Sequence, residues 1–235
     1  YKNRENLTLD GVPYSAPDKG TLIHSLCDLY YNLRWIDPQG NKMDHMNEAI
    51  RIFREHAYTL KLFPNDKGEL ETFLINRFVL YVQRYAINDF ILPVSTVSPV
   101  ELGFSKLLFE NEEVRFIVEG RVDLMNIVNG NIMCFTDHKT QDRKSELYVY
   151  KPQFKTYAWA TGCEYGQINY IGLQDKYVEG NTFRRTLIHF PKWMIDEWQT
   201  KMFTIFSTIT KLLHTGNNEK VFYSIRNDSN CSGAF

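Results

Sequence analysis

The chain has 235 residues, enough to bury a large hydrophobic core in one domain, and this is favoured over two small domains. Its composition, 43% hydrophobic and 23% charged, excludes extended disorder, and its net charge of −1 excludes an overall electrostatic attraction to polyanions. No apolar run approaches the roughly 20 residues of a membrane span, and the chain does not open on a signal segment. We therefore expect a soluble, cytoplasmic protein without membrane contact.

The four cysteines are far apart in the sequence, and none forms a C-x-x-C pair. They are Cys27, Cys134, Cys163 and Cys231. A chain of this size does not depend on disulfides, so a reducing compartment is expected. The chain begins at Tyr1 rather than at a methionine, so a fragment of a longer protein stays an open alternative.

The first part of the chain predicts helices. After a polar segment over residues 1–19, apolar residues recur at helical spacing over 20–36, 44–60 and 68–88. Turn sequences rich in proline, glycine and aspartate separate these three stretches. Residues 20–90 are therefore interpreted as a helical part of the protein.

The pattern changes to short β-rich runs after Pro93. Three strands, a helix, two strands and a long helix are predicted in turn at 99–109, 114–128, 131–139, 151–162, 167–173, 182–190 and 192–216. This order predicts an α/β or α+β plan. We expect one domain over 1–235, with a sheet and its helices over 91–215 and a tail over 216–235.

Two aspartates are predicted to face each other across a β-hairpin, whose turn contains Asn-Gly at 129–130. If the loop has three residues, Val128 pairs with Ile132. Asp123 then lies opposite Asp137, with the two side chains about 5 Å apart on one face of the sheet.

A two-residue loop is the alternative, in which Asp123 pairs with Thr136 and the two aspartates become diagonal neighbours. In either register Lys139 shares a face with Asp137, because strand side chains at i and i+2 point the same way. Two carboxylates at such a short distance repel each other unless a cation lies between them. An all-oxygen site of this kind suits Mg²⁺ or Mn²⁺.

Four other residues are weaker candidates for the same site. Glu101 on the preceding strand could add a carboxylate and His24 on the first helix an imidazole, although a solvated glutamate and a hydrogen-bonded core histidine are the ordinary alternatives. Gln153 and Tyr157 share a helix face and could present an amide and a hydroxyl to one ligand. The alternative for Tyr157 is simple packing on the sheet.

The segment from residue 139 to residue 155 is locally positive. Its basic residues are Lys139, Arg143, Lys144, Lys151 and Lys155. Such a run predicts either a contact surface for a polyanion or an ordinary solvated loop.

Four motifs occur in order between residues 20 and 157: GTLIH at 20–24, GRVD at 120–123, DHKT at 137–140 and QFKTY at 153–157. They resemble the G-T-x-x-H, G-x-x-D, D-x-K-T and Q-x-x-x-Y motifs of the RecB-type branch of the PD-(D/E)XK nuclease superfamily. The resemblance implies a restriction-endonuclease-like α/β fold, a three-layer core with a central mixed sheet flanked by helices and a helical N-terminal region.

The resemblance also implies roles for individual residues. The implied metal ligands are Asp123, Asp137 and the backbone carbonyl of His138, with His24 and Glu101 completing the site. Lys139 would orient or activate the attacking water, and Gln153 and Tyr157 would contact the nucleic-acid backbone or support the site. The implied phosphate contacts are Arg121, Arg143, Lys144, Lys151 and Lys155.

The implied activity is hydrolysis of DNA phosphodiester bonds with Mg²⁺ or Mn²⁺, as an exonuclease or a nuclease of single-stranded or duplex ends. Recombination, repair or phage DNA metabolism, a bacterial or phage source, and a helicase or recombination protein as partner are the corresponding expectations. Some branch members hold an iron–sulfur cluster with three clustered C-terminal cysteines. Cys231 is the only cysteine in that region, so no cluster is expected. A catalytically inactive DNA-binding or scaffolding module is the alternative function.

Overall fold

The computed structural model describes residues 16–59, 68–91, 97–112, 114–128, 130–141, 151–174 and 182–214. The predicted phosphate contacts Arg143 and Lys144, the tail over 216–235 with Cys231, and most of the polar segment over 1–19 lie outside these residues.

The helices of the described residues are α1 (Ala16–Ile36), α2 (Lys42–Thr59), α3 (Glu69–Arg84), α4 (Pro152–Thr161) and α5 (Lys192–His214). Their ends follow local chemistry. The side chain of Asn41 accepts a hydrogen bond from the Met43 amide at 2.8 Å, which caps the start of α2. Pro152 occupies the first turn of α4, and Gly162 ends that helix with a φ of 72°.

The strands are β1 (Phe90–Ile91), β2 (Val100–Glu110), β3 (Arg115–Val128), β4 (Ile132–Gln141), β5 (Tyr165–Gly172) and β6 (Phe183–His189). Within the described residues they form one sheet in the order β1-β3-β4-β5-β6, and β2 pairs with the same edge of β3 as β1 does. Only β4 and β5 are parallel, because α4 crosses over between them. The sheet is therefore mixed.

Each face of the sheet is covered by helices. On one face α1, α2 and α3 pack on Leu124, Ile171 and Phe183. On the other face α4 packs on Phe135 and Ile168, while α5 lies against α4 and the long β2–β3 hairpin. This arrangement confirms the predicted three-layer α/β core with a central mixed sheet and a helical N-terminal region.

The observed helices and strands begin and end within about four residues of the predicted bounds. The exception is β1, which the sequence did not predict. Two residues cannot carry a detectable strand pattern. None of the helices in the described part of the chain contains an 18-residue window apolar enough to cross a membrane.

Candidate active site

The β3–β4 hairpin brings the two predicted aspartates together. Val128 pairs with Ile132, and the antiparallel ladder continues to Leu124 and Thr136. The register is therefore that of the three-residue loop, and the two-residue alternative is wrong. The ladder ends there, and Asp123 and Asp137 are the next residues on the two strands.

The strand pattern around Asp123 is interrupted. Val122 and Met125 pack in the same cluster, on the α4 face, although simple alternation would send them to opposite faces. Leu124 packs on the other face. Opposite Asp123 on β2, Glu101 has a φ of 52° and is left out of the β2–β3 ladder. A non-glycine residue with such a φ is strained, and strain of this kind concentrates at functional sites.

Both carboxylates are removed from water. The side chain of Asp137 is only 2% exposed and that of Asp123 is 16% exposed. Burial raises the pKa of Asp123 to about 6, against the lowering effect of the His138 amide and Lys139, and nearby Glu101 raises it further. Burial also raises the pKa of Asp137 to about 6; the Lys139 ammonium lowers it and the Asp123 charge raises it. The fold therefore holds two carboxylates that resist simultaneous ionisation.

Lys139 is the cation that faces this pair. Its Nζ lies 2.8 Å from Asp137 Oδ2 and 3.1 Å from Asp137 Oδ1, where it donates a hydrogen bond. Asp137 Oδ2 is buried, and its contact with the ammonium is an ion pair that does not meet hydrogen-bond geometry. Because a carboxylate oxygen has two lone pairs, Asp137 can accept a further ligand beside Lys139.

Side chains of α4 contact Lys139 and Asp137. Gln153 accepts a hydrogen bond from Lys139 Nζ at 3.4 Å, and its Nε2 donates to Tyr157 at 2.7 Å and to Asp137 Oδ1 at 3.5 Å. The Tyr157 ring also packs edge-on against Phe135 at 5.7 Å. Tyr157 therefore packs on the sheet, as its alternative role predicted, and it also accepts a hydrogen bond from the amide that contacts Lys139.

A close approach of α1 to β4 places His24. A Cβ on Gly20 would lie 2.4 Å from Thr140 Oγ1, so only glycine fits at this crossing without a shift. One helical turn later, His24 Nδ1 lies 3.9 Å from Asp123 Oδ2. The glycine of GTLIH is thus a packing requirement that brings the imidazole to the carboxylates.

His138 contacts the carboxylates directly through its backbone, whereas its ring lies on the other face of the sheet. Its amide donates to Asp123 Oδ2 at 2.7 Å. Its side chain is 1% exposed and lies on the opposite face of the sheet from Asp137, as strand alternation requires. Burial holds the pKa of His138 well below its ordinary value, and the charges of His24 and Arg185 lower it further.

The remaining predicted residues lie at the rim. Glu101 accepts a hydrogen bond from Arg121 at 2.8 Å, and the Arg121 side chain is 43% exposed. Lys151 precedes the first residue of α4, and Lys155 is one turn further along the same helix. All three basic side chains reach solvent from elements that carry site residues.

The donor set suits a hard divalent cation. No group of three or more histidine, cysteine, aspartate or glutamate side chains converges in the described residues into a complete metal cluster. Mg²⁺, however, typically binds proteins through one or two carboxylates and keeps several waters. The buried pair Asp123 and Asp137 fits that requirement, since Asp137 Oδ2 is ion-paired with Lys139 but makes no hydrogen bond.

Sequence reasoning missed one part of the site. A polar network behind the sheet, which includes Asn169, Arg185 and Asp89, reaches the ring of His138. These residues are scattered over 97 positions of the chain, so no local spacing marks them. An asparagine in the buried strand β5 was the available signal.

Comparison with known proteins identifies one family. The model of the PD-(D/E)XK nuclease superfamily matches residues 1–222 of this chain. No curated protein matches the sequence. A solved structure described as "Crystal structure of SSO0001" aligns with a TM-score of 0.33 and 16% identity, over 59% of this chain and 68% of that one.

The close crossing of α1 and β4 predicts a rescue experiment. Gly20→Ala should lower the free energy of unfolding by about 1–3 kcal/mol, because the new methyl group overlaps the Thr140 hydroxyl. Thr140→Ala in the same chain removes the overlapping atom and should recover much of that loss. Urea unfolding of the wild type, both single variants and the double variant measures the coupling. Strictly additive effects would contradict the proposed crossing.

The carboxylate pair predicts a pH-dependent stability difference. With a folded pKa of about 6 against 3.8 for an ordinary aspartate, Asp123 favours folding below pH 3.8, and this contribution is lost as the pH rises through 6. In EDTA, Asp123→Asn should therefore stabilise the protein at pH 7.5 by about 1–3 kcal/mol. The gain should shrink to nothing near pH 4.

Thermal or urea unfolding of both proteins across this pH range measures the difference. Asp44→Asn, in the first turn of α2, is the matched control and should show no such gain. A variant that is less stable than wild type at pH 7.5 would refute the repulsion argument.

Proposed function

Because the chain belongs to the PD-(D/E)XK nuclease superfamily, we propose that it is a RecB-type DNA nuclease that requires Mg²⁺ or Mn²⁺. Its substrates would be single-stranded or duplex DNA ends in recombination, repair or phage DNA metabolism. The observation that carries the proposal is the buried pair Asp123 and Asp137, with Lys139 in contact with Asp137 from the same face of the sheet. An inactive scaffold would have no need to bear the cost of this repulsion.

Asp123 and Asp137 would hold the metal ion, with the backbone carbonyl of His138 as a further oxygen ligand and with His24 and Glu101 at its margin. When bound, the ion neutralises charge on the phosphoryl oxygens and lowers the pKa of the attacking water. The hydrogen bond from the His138 amide fixes the orientation of the Asp123 carboxylate. Asp137 Oδ2, which is ion-paired with Lys139 but makes no hydrogen bond, would provide a further acceptor.

Lys139 would supply positive charge where negative charge builds in the transition state. Its ammonium is held between Asp137 and the amide oxygen of Gln153, and its side chain is 21% exposed. A preorganised cation in a largely buried site stabilises an anionic transition state more than one in water does. Gln153 is itself held by Tyr157, so these two residues would keep the lysine in place.

The phosphate backbone would approach over the start of α4. This helix begins at Pro152, next to Gln153, so its positive end lies beside the site. Lys151 and Lys155 on this helix and Arg121 on β3 would contact phosphates, together with Arg143 and Lys144. Such contacts are electrostatic and read no bases, which is consistent with an enzyme that degrades DNA without sequence preference. A helicase or recombination protein is the expected partner.

The proposal predicts metal-dependent cleavage that two substitutions abolish. End-labelled single-stranded, duplex and circular DNA should be incubated with the protein in Mg²⁺, Mn²⁺ or EDTA. Asp123→Asn and Lys139→Ala should each reduce the cleavage rate by about a hundredfold or more. Lys201→Ala, on the exposed face of α5, is the matched control and should cleave like wild type.

Cleavage in EDTA, or cleavage that neither substitution affects, would count against this site. Resistance of circular DNA would support an exonuclease, while its cleavage would indicate an endonuclease. Metal-dependent DNA binding without cleavage of any substrate would favour the scaffold alternative.

The phosphate contacts predict a change in salt dependence. In EDTA, Lys151→Ala and Lys155→Ala should each weaken binding to duplex DNA equally for all sequences. Each should also reduce the slope of log affinity against log salt by about 0.9. Fluorescence anisotropy at several salt concentrations measures this slope, with Lys201→Ala again as control. An unchanged slope would show that the substituted lysine does not contact a phosphate.

A further inference from the structure

A buried polar network crosses the face of the sheet that faces away from Asp137 and Lys139. It begins on β6, where the Arg185 guanidinium makes two hydrogen bonds to Asp89, at 2.5 and 2.7 Å. Arg185 Nε donates to Asn169 Oδ1 on β5 at 2.7 Å. Asn169 Nδ2 in turn lies 2.9 Å from the Tyr81 hydroxyl and 3.3 Å from His138 Nδ1.

The orientation of the Asn169 amide follows from its neighbour. Arginine carries only donors, so the Asn169 atom that faces Arg185 has to be the oxygen. The amide nitrogen then faces His138, and because it is a donor, His138 Nδ1 acts as the acceptor. The ring proton of His138 is therefore on Nε2. One ion pair, Asp89 with Arg185, thus fixes a histidine tautomer two strands away.

Aromatic rings enclose the same imidazole. The ring of Tyr31 stacks on His138 with centroids 5.8 Å apart, and those of Tyr81 and His24 approach it edge-on at 5.9 and 6.0 Å. The Tyr31 hydroxyl donates to Asp89 Oδ2 at 2.5 Å, which ties α1 to the same ion pair. His24 and Tyr31 both belong to α1, so the position of the ring and the position of that helix depend on each other.

The network meets the candidate active site at one residue. The amide of His138 holds Asp123, and its ring contacts His24, whose Nδ1 lies 3.9 Å from the same carboxylate. A shift of the buried ring would therefore displace His24 beside Asp123, and a shift of the β4 backbone with it would displace the amide that donates to Asp123. Outer groups that fix the ligands of a metal site commonly change affinity or activity 10–100-fold when they are removed.

We propose that Asn169 is a positioning residue for the active site. It locks the ring of His138 in the Nε2–H tautomer and so sets the geometry of Asp123 and His24 from behind the sheet. The catalytic part of this role rests on the proposed nuclease function. Asn169 lies on the face of the sheet away from Lys139.

The tautomer is tested in the wild-type protein alone. Long-range ¹H–¹⁵N correlation spectra distinguish a protonated from an unprotonated ring nitrogen, and His138 can be assigned through its backbone amide. The proton is expected on Nε2, with Nδ1 unprotonated. A proton on Nδ1 at neutral pH would overturn the proposal, whatever the activity of the protein.

The positioning role is tested with Asn169→Asp. The carboxylate keeps an acceptor for Arg185 and for the Tyr81 hydroxyl, but it places an acceptor opposite His138 Nδ1 and so requires a proton there. The expected result is a 10–100-fold loss of kcat, with KM for DNA changed less than about threefold, and about tenfold weaker Mn²⁺ binding by calorimetry.

Thr136→Val is the matched control. Thr136 is fully buried two residues before His138 on the same strand and face, and its hydroxyl donates to Asn126 at 2.8 Å. Losing that hydrogen bond should cost about 1–2 kcal/mol of stability, while the His138 tautomer, kcat and Mn²⁺ affinity stay as in wild type.

The outcomes separate the two proposals. If wild type cleaves no DNA in any metal, the nuclease function fails, but the effect of Asn169→Asp on the His138 ring proton and amide shift still tests the positioning role. If wild type cleaves DNA and Asn169→Asp retains wild-type kcat and Mn²⁺ affinity, the positioning role fails and the nuclease function stands. Equal losses of kcat and of Mn²⁺ affinity in Asn169→Asp and Thr136→Val would show that Asn169 has only a structural role and would overturn the proposal.

Discussion

The constraint on which the rest of the structure depends is the approach of two carboxylates that repel each other. Asp123 and Asp137 lie just beyond the end of the backbone ladder that begins at the hairpin turn, and their burial raises both pKa values. Neither water nor distance relieves the repulsion, because the strands fix the separation and the helices exclude solvent. A cation is the group that this geometry favours, and Lys139 supplies part of that charge.

Each layer of the fold contributes to this arrangement. The sheet sets the register, while α4 brings Gln153 to Lys139 from one side. From the other side α1 approaches β4 at Gly20, where a larger residue would not fit. The site therefore lies where both helical layers meet the same two strands, which is why it includes residues from distant parts of the sequence. The strained backbone of Glu101 marks the point where the ladder opens beside Asp123.

Much of the fold and part of the candidate site could be predicted from the sequence. The period of apolar residues predicted the main helices and strands, and the Asn-Gly turn narrowed the hairpin to two registers. Alternation placed Asp137 and Lys139 on one face correctly. Alternation fails between Val122 and Met125, which pack on the same side because a local irregularity in β3 breaks the period of two. The strand β1 was not predicted either, because two residues are too few to show a strand pattern.

The sequence by itself determined the chemistry: which residues can carry charge, which motifs occur in which order, and which family they indicate. Tertiary structure decided the distances between these residues and how far each of them is removed from water. Whether Asp137 is solvated or buried depends on helices that pack over it, and the network from Asp89 through Asn169 to His138 joins elements far apart in the chain. Local sequence encodes neighbours along the chain, whereas pKa values and hydrogen-bond partners depend on neighbours in space.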